Sequence, residues 1–228
     1  LIGALGGSSN TIIHLEAIAG RAGLEIGFER FDAWAKSSEY VTQVRPGGPY
    51  LLADLQAAGG IPAVMHRIRS SLHLACLAGD GRPWQALLDE LVPADDGKVI
   101  ASAGEPFGRT GGIVMLRGNL APSGAVLKQS GVHDARLRHH KGRAVVFDGM
   151  EDLNRRIDDP ELDVDADSVL VLRGLGPVGA PGMPEVGHIP IPAKLWKQGV
   201  RDMVRISDAR MSGTSSGTVV LHMAPEAA

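Results

Sequence analysis

Near the C-terminal end, the run "ISDARMSGT" alternates Asp208, Arg210 and Ser212, and Gly213 leaves room beside the serine. In an extended segment these three side chains share one face. A serine hydroxyl between a carboxylate and a guanidinium is held tightly, and nearby positive charge favours its anion. The plainer alternative is an Asp–Arg pair that staples a loop. The same stretch spells G-x-S-x-G through Gly213, Ser215 and Gly217, the spacing of a serine-hydrolase nucleophile elbow. That elbow needs a strand, a sharp turn and a helix, then an acid and a histidine further on. Here "TVVLHM" follows Gly217 and reads as a strand, and no acid stands between Ser215 and His222, the only downstream histidine. A hydrolase using Ser215 therefore fails the triad order within this chain.

Other patterns imitate chemistry. "GLGPVG" matches G-x-G-x-x-G at Gly174, Gly176 and Gly179, but Pro177, Pro181 and Pro184 forbid the helix that a dinucleotide site requires. "DVDADS" from Asp163 resembles the start of a calcium loop, yet Ser168 and Gly174 stand where Gly and Glu are needed, so an acidic surface turn is expected. "RLRHHKGR", Arg136 to Arg143, is short and lacks interleaved aromatics, which suits a solvated loop better than a nucleic-acid patch. His66 and His73 fall seven apart on one expected helix face with no further ligand types nearby, and Cys76 reads as a small buried apolar group.

The elements that carry these residues divide the chain. Up to about residue 96 the apolar spacing is helical: "TIIHLEAIAGRAG" behind the N-cap types Ser8, Ser9 and Asn10, then the stretch around Asp32–Lys36, "YLLADLQAAGG", "PAVMHRIRSSLHLACLA" and "PWQALLDELV". From Lys98 the segments are short and β-like, punctuated by Gly, Pro and Asp: "VIAS", "GGIVMLRG", "GAVLKQS", "RAVVFDG", "SVLVLRG", "MVRIS" and "GTVVLHM". One helix, "MEDLNRRIDD", interrupts them, and "HMAPEAA" reads as the first turn of another. The expected fold class is α/β plus β: a helical portion over residues 1–96 and a β-barrel-like domain over residues 97–228. The chain opens on Leu1 and enters a helix almost at once, which marks it as a fragment.

Composition narrows the function. At 44% hydrophobic, 228 residues can bury one large core or two small ones. A net charge of −3 gives no pull toward nucleic acid or an anionic membrane, and no apolar run reaches the roughly 18 residues of a membrane span. The single cysteine excludes an internal disulfide framework and fits a reducing, cytoplasmic setting.

"SDARMSGTSSGTVVLHMAPEAA" resembles the C-terminal signature of the dihydroxy-acid dehydratase / 6-phosphogluconate dehydratase family, (T/S)-D-(G/A)-R-x-S-G. "LGGSSNTIIHLEAIAGRAG" is similar to that family's G-G-S-T-N-x-x-x-H-L segment, and "GGIVMLRGNLAPSGAVLK" to its R-G-N-L-A-P-x-G-A-V-x-K. "GRAVVFDGMEDLNRRIDD" and "GPVGAPGMPEVGHIPIP" fit as well, so the likeness runs in order through nearly the whole chain. The wording "SDARMSGT" is closer to the sugar-acid branch than to the branched-chain amino-acid enzyme. The resemblance implies an N-terminal α/β domain carrying an iron–sulfur cluster, of 2Fe–2S type, and Mg²⁺, followed by a swivelling β-barrel-like domain. It implies dehydration of a 2,3-dihydroxy acid to a 2-oxo acid, with iron acting on the leaving C3 hydroxyl and Mg²⁺ on the carboxylate and C2 hydroxyl. By motif, Ser212 becomes the base for the C2 proton and Glu185 in "GMPEVG" an Mg²⁺ ligand. Asp208 and Arg210 would orient Ser212 or the substrate carboxylate, and Ser8, Ser9 and Asn10 would line the cleft at a helix N-terminus. The family's cluster cysteines and its C-D-K segment are missing, so no iron–sulfur ligand is expected in this chain, which alone should be inactive. The partners implied are a small sugar acid and, at full length, further copies in a dimer or tetramer. The alternatives are the branched-chain dihydroxy-acid dehydratase, the Ser215 hydrolase, and a non-catalytic swivelling domain that closes over a partner chain.

Overall fold

The computed structural model describes residues 1–91, 97–182, 184–186, 188–211 and 216–227. In chain order its helices are α1 (Ile2–Leu5), α2 (Asn10–Arg21), α3 (Phe28–Ser37), α4 (Leu52–Ala57), α5 (Gly60–Arg67) and α6 (Trp84–Asp89), then α7 (Gly149–Arg156) and α8 (Ala193–Lys197). The strands are β1 (Val114–Leu116), β2 (Gly124–Leu127), β3 (Ala144–Asp148), β4 (Val169–Arg173), β5 (Arg205–Ser207) and β6 (Val219–Ala224). The compact units interleave in sequence: one holds Leu1–Gly7 and Ala33–Gly112, the other Ser8–Asp32 and Ile113–Ala228. The expected division between residues 96 and 97 follows composition, whereas α2 belongs with the strands, and residues 97–112 belong with the helices.

The first unit packs Ala4, Val41, Leu55, Ala63, Val64, Ile68, Val99 and Ile100 into one apolar cluster. "VIAS" joins it through a single bridge from Ile100 to Thr42 rather than as a strand. The buried Thr42 hydroxyl donates to the Leu5 carbonyl at 3.0 Å, which meets the polar demand of that core. α5 stops at Arg67, because Arg67 Nε turns to the carbonyls of Ala101 and Ser102 and a 3-10 turn follows at Arg69–Ser71. Two expectations fall with that stop. His73 does not share a helix with His66, and Cys76 is exposed rather than buried, because no helix face continues to carry it inward.

The second unit is built on a six-stranded sheet ordered β1-β2-β6-β5-β4-β3. β1, β2 and β6 pair antiparallel, while β6, β5, β4 and β3 run parallel. β1 and β3 form its two edges, so among the described residues this is a mixed six-stranded α/β sheet, in keeping with the expected α/β class. Short β-like segments do not reveal strand direction; the parallel crossovers over α7 and α8 set it. Alternation places Val145 and Phe147 of β3 and Leu170 and Leu172 of β4 in the core, against Leu153 and Ile157 beneath α7. The expected helical turn at "HMAPEAA" is absent among the described residues: β6 runs to Ala224, and a bend at Pro225 follows. No helix among the described residues is long and apolar enough to cross a membrane.

At the start of β5, the Arg205 and Asp202 side chains are only 7% and 11% exposed and meet at 3.0 Å. Asp202 also accepts from the Thr218 N–H and hydroxyl and the Met203 N–H, and Arg205 donates to the carbonyls of Ile189 and Ser216. Gly217, the last glycine of G-x-S-x-G, sits at φ +99, and a Cβ there would lie 2.1 Å from Arg205 Nη2. Its glycine identity serves this buried pair rather than an elbow. Replacing Asp202 by alanine strands a buried guanidinium, so urea unfolding of Asp202→Ala is expected to show a loss of about 3–5 kcal/mol.

Candidate active site

Parallel strands in α/β sheets present their ligand sites at the carboxyl edge. Here that edge is formed where β4 ends at Arg173, β5 at Ser207 and β6 at Ala224. β4 runs into the "GLGPVG" loop, and β5 into the run that carries Asp208 and Arg210. Asp208 is 5% exposed, and its carboxylate accepts from the N–H of Gly174 at 2.8 Å, Leu175 at 3.1 Å and Ala227 at 3.4 Å. Glu226 accepts from the N–H of Val178 at 2.6 Å and Gly179 at 2.9 Å. The G-x-G-x-x-G loop does turn its amides toward negative charge, but the charge is supplied by the protein's own carboxylates. Gly176 is needed because a Cβ would stand 2.4 Å from Glu226 Oε2, and Gly179 because one would stand 2.7 Å from the Gly174 carbonyl oxygen.

The chain bends at Asp208–Ala209, so this segment is not the extended run in which alternate side chains share one face. The Arg210 carbonyl accepts from Val186 N–H at 3.2 Å, which lays this segment beside Glu185. Arg210 Nη1 lies 3.8 Å from Glu185 Oε2, a long ion pair between side chains 26% and 33% exposed. On the other carboxylate oxygen, Asn10 Nδ2 donates to Glu185 Oε1 at 3.1 Å. Asn10 opens α2; Ser9 is its N-cap and is buried, and the exposed Ser8 accepts from the Asn10 N–H through Oγ at 3.3 Å. Asn10 Oδ1 is buried without a hydrogen-bond partner. Ser212 and Ser215 lie outside the described residues.

His222 in β6 lies against the Asp208–Arg210 segment, its backbone N–H donating to the Ala209 carbonyl at 3.4 Å. Burial drops its pKa to about 4, and the positive charges of His14 and Arg210 add to the effect. His14 stands one turn beyond Asn10 on α2, on the same helix face. Neither His14 nor Glu226 stood out in the sequence, and His222 did so only as a failed triad member. The i, i+4 spacing of Asn10 and His14 was a usable signal, whereas nothing local distinguishes Glu226.

Glu185 offers hard carboxylate oxygens to a cation, the donor type Mg²⁺ takes, and the Arg210 guanidinium stands off at 3.8 Å. The described residues contain no group of three or more His, Cys, Asp or Glu able to hold a metal ion, so the remaining Mg²⁺ ligands would come from elsewhere. Cys76 is a lone exposed thiol and does not make a cluster site.

A small polar cluster at the carboxyl edge of parallel strands is the kind of site that takes a small oxygen-rich ligand. Residues 1–87 match the dihydroxy-acid/6-phosphogluconate dehydratase N-terminal model and residues 98–228 the C-terminal one, and the chain belongs to that family. It is 49% identical to a 6-deoxy-6-sulfo-D-gluconate dehydratase of Pseudomonas putida, with 99% of this chain and 39% of the relative covered. It is 46% identical to an L-arabinonate dehydratase of Rhizobium leguminosarum bv. trifolii, with 99% and 39% covered. Identity to a dihydroxy-acid dehydratase of Methanothrix thermoacetophila is 39%, over 99% of this chain and 41% of the relative. The chain thus spans about two-fifths of the length of these curated relatives.

Two outcomes follow from this geometry. Asp208→Ala leaves half-buried loop amides without acceptors and should lower stability by about 1–3 kcal/mol in urea titrations. His222 binds its proton less readily folded, at about 4, than in an unfolded chain, at about 6.5. Its contribution is therefore full above pH 6.5 and lost as pH falls toward 4. Unfolding free energies of the parent should fall over that window more steeply than those of His222→Gln.

Proposed function

We propose that the full-length protein is a hydro-lyase that removes water from a 2,3-dihydroxy sugar acid and yields a 2-oxo-3-deoxy acid, with Mg²⁺ and an iron–sulfur cluster as cofactors. The observation that carries the sugar-acid reading is the order of identities: 49% and 46% to relatives named for sugar acids, against 39% to one named dihydroxy-acid dehydratase. Ser212 takes the C2 proton; the "SDARMSGT" motif and the closeness in chain of the Arg210 guanidinium support that role. The C3–O bond then breaks, the departing hydroxide takes the proton that Ser212 removed and leaves as water, and the enol gives up its hydroxyl proton as C3 takes one, which makes the ketone. Glu185 supplies one Mg²⁺ ligand, steadied by Asn10 on one oxygen. An Mg²⁺ ion held there would supply Lewis-acid polarisation of the substrate carboxylate and C2 hydroxyl. Arg210, beside Glu185, and Ser9 and Asn10 at the start of α2 face the anionic end of the substrate. Asp208 acts through the loop it anchors. The single cysteine of this chain cannot hold an iron–sulfur cluster by itself. The protein works in the cytoplasm as a homo-oligomer.

The hydrolase alternative has little support, since Gly217 leads into β6 where an elbow requires a helix. The test is 2-oxo acid formation by the full-length protein from L-arabinonate and other aldonates, with Mg²⁺ and an intact cluster. Ser212→Ala is expected to lower kcat by about 10³-fold or more, in line with loss of a general base. Glu185→Gln is expected to raise the Mg²⁺ concentration needed for half-maximal rate. Turnover of a branched-chain 2,3-dihydroxy acid alone would move the assignment to the other branch of the family.

A further inference from the structure

His222 carries two anomalies in one residue. It has φ +54, the only positive φ outside glycine among the described residues. Its Nδ1 and Nε2 are both buried, and neither has a hydrogen-bond partner among the described residues. A left-handed non-glycine residue costs about 1–3 kcal/mol, and a buried polar group left unpaired costs about as much again. A fold that tolerates both at one position points to a use for that position.

The surroundings say which use. Asn10 Oδ1 is likewise buried and unpartnered, while the other end of that amide holds Glu185. His14, one turn from Asn10, and Arg210, beside Glu185, are the charged groups that bear on the His222 ring. The His222 backbone N–H donates to the Ala209 carbonyl at 3.4 Å, next to the Arg210 that pairs with Glu185, so the orphaned imidazole and the orphaned amide oxygen flank the same segment and offer a donor and an acceptor to a ligand rich in hydroxyl and carboxylate groups. Burial, Arg210 and His14 all oppose a proton on the ring, so His222 is ill suited to accept one and well suited to donate a neutral N–H.

We infer that His222 is a catalytic hydrogen-bond donor, whose neutral imidazole N–H binds the substrate oxygen on which negative charge grows as C2 loses its proton. The inference rests on the dehydratase reading above. In that step the C2–H bond breaks, the proton goes to the base, and the electron pair spreads onto the substrate carboxylate. His222 keeps its own proton and strengthens its hydrogen bond. A donor fixed in a water-poor site stabilises developing charge without having to reorganise.

The test uses the full-length, cofactor-loaded protein with L-arabinonate as probe. His222→Phe removes both ring nitrogens at similar volume. It should lower kcat by about 10²–10³-fold, the usual cost of losing one such donor, with KM and the thermal midpoint little changed. His222→Asn or His222→Gln, each of which keeps an N–H, should restore at least about tenfold of that loss. A folded Phe variant with kcat within about threefold of the parent overturns the inference. If the Phe variant does not fold, the amide variants decide: one of them should keep about a tenth or more of the parent kcat, and both falling below about a hundredth overturns it. Loss of folding in all three also overturns it, because the ring then serves the fold. A parent that dehydrates no 2,3-dihydroxy acid defeats the functional reading itself and is seen before any variant is made.

Discussion

The Asp208 carboxylate ties the end of β5 to the loop that leaves β4, by way of the Gly174 and Leu175 amides. Glu226, beyond β6, holds the far side of the same loop at Val178 and Gly179. Three adjacent parallel strands are thus joined across their carboxyl edge by two carboxylates and five backbone N–H groups, the Ala227 amide included. A loop with this much glycine and proline has no hydrogen-bond ladder of its own, and side-chain acceptors take the place of one. The loop leads directly to Glu185, so the position of that carboxylate depends on this joint.

The arrangement also explains how a phosphate-loop pattern arises without a phosphate site. Glycines at Gly174, Gly176 and Gly179 let the backbone turn its amides inward and approach closely, which is what an anion cradle requires. The anions are Asp208 and Glu226. The opposite end of the sheet repeats the logic with Asp202, which gathers the Arg205 guanidinium and the Thr218 amide and hydroxyl around one buried carboxylate. Both ends of the short parallel strands are fastened by charge-assisted hydrogen bonds, and the apolar layer between them is supplied by Phe147, Leu170 and Leu172 against α7.

Within that frame the polar cluster is unusually open to a ligand. Glu185 has a donor on each carboxylate oxygen, but the Arg210 contact is long. Asn10 and His222 keep buried polar atoms without partners. A satisfied core would not leave these groups idle, whereas a site shaped for an oxygen-rich molecule would.

Sequence alone determined the helices around Asn10–Arg21 and Gly149–Arg156, the six strand segments of the second unit, and the reading of "GLGPVG" as a loop, because apolar period, β-branched runs and proline act locally. It also carried the family, since five motifs in fixed order are independent of how they pack. Tertiary structure decided the rest. The sheet is a mixed one because strand partners are chosen by the crossovers and not by strand composition. Cys76 is exposed because α5 ends early, where Arg67 finds its acceptors across the first unit. Asp208 serves the "GLGPVG" loop, and Glu226 and His222 join the site, because a bend after β5 and the strand order bring together residues far apart in sequence. Such pairings leave no trace in local periodicity and become visible only once the backbone amides have been assigned their acceptors.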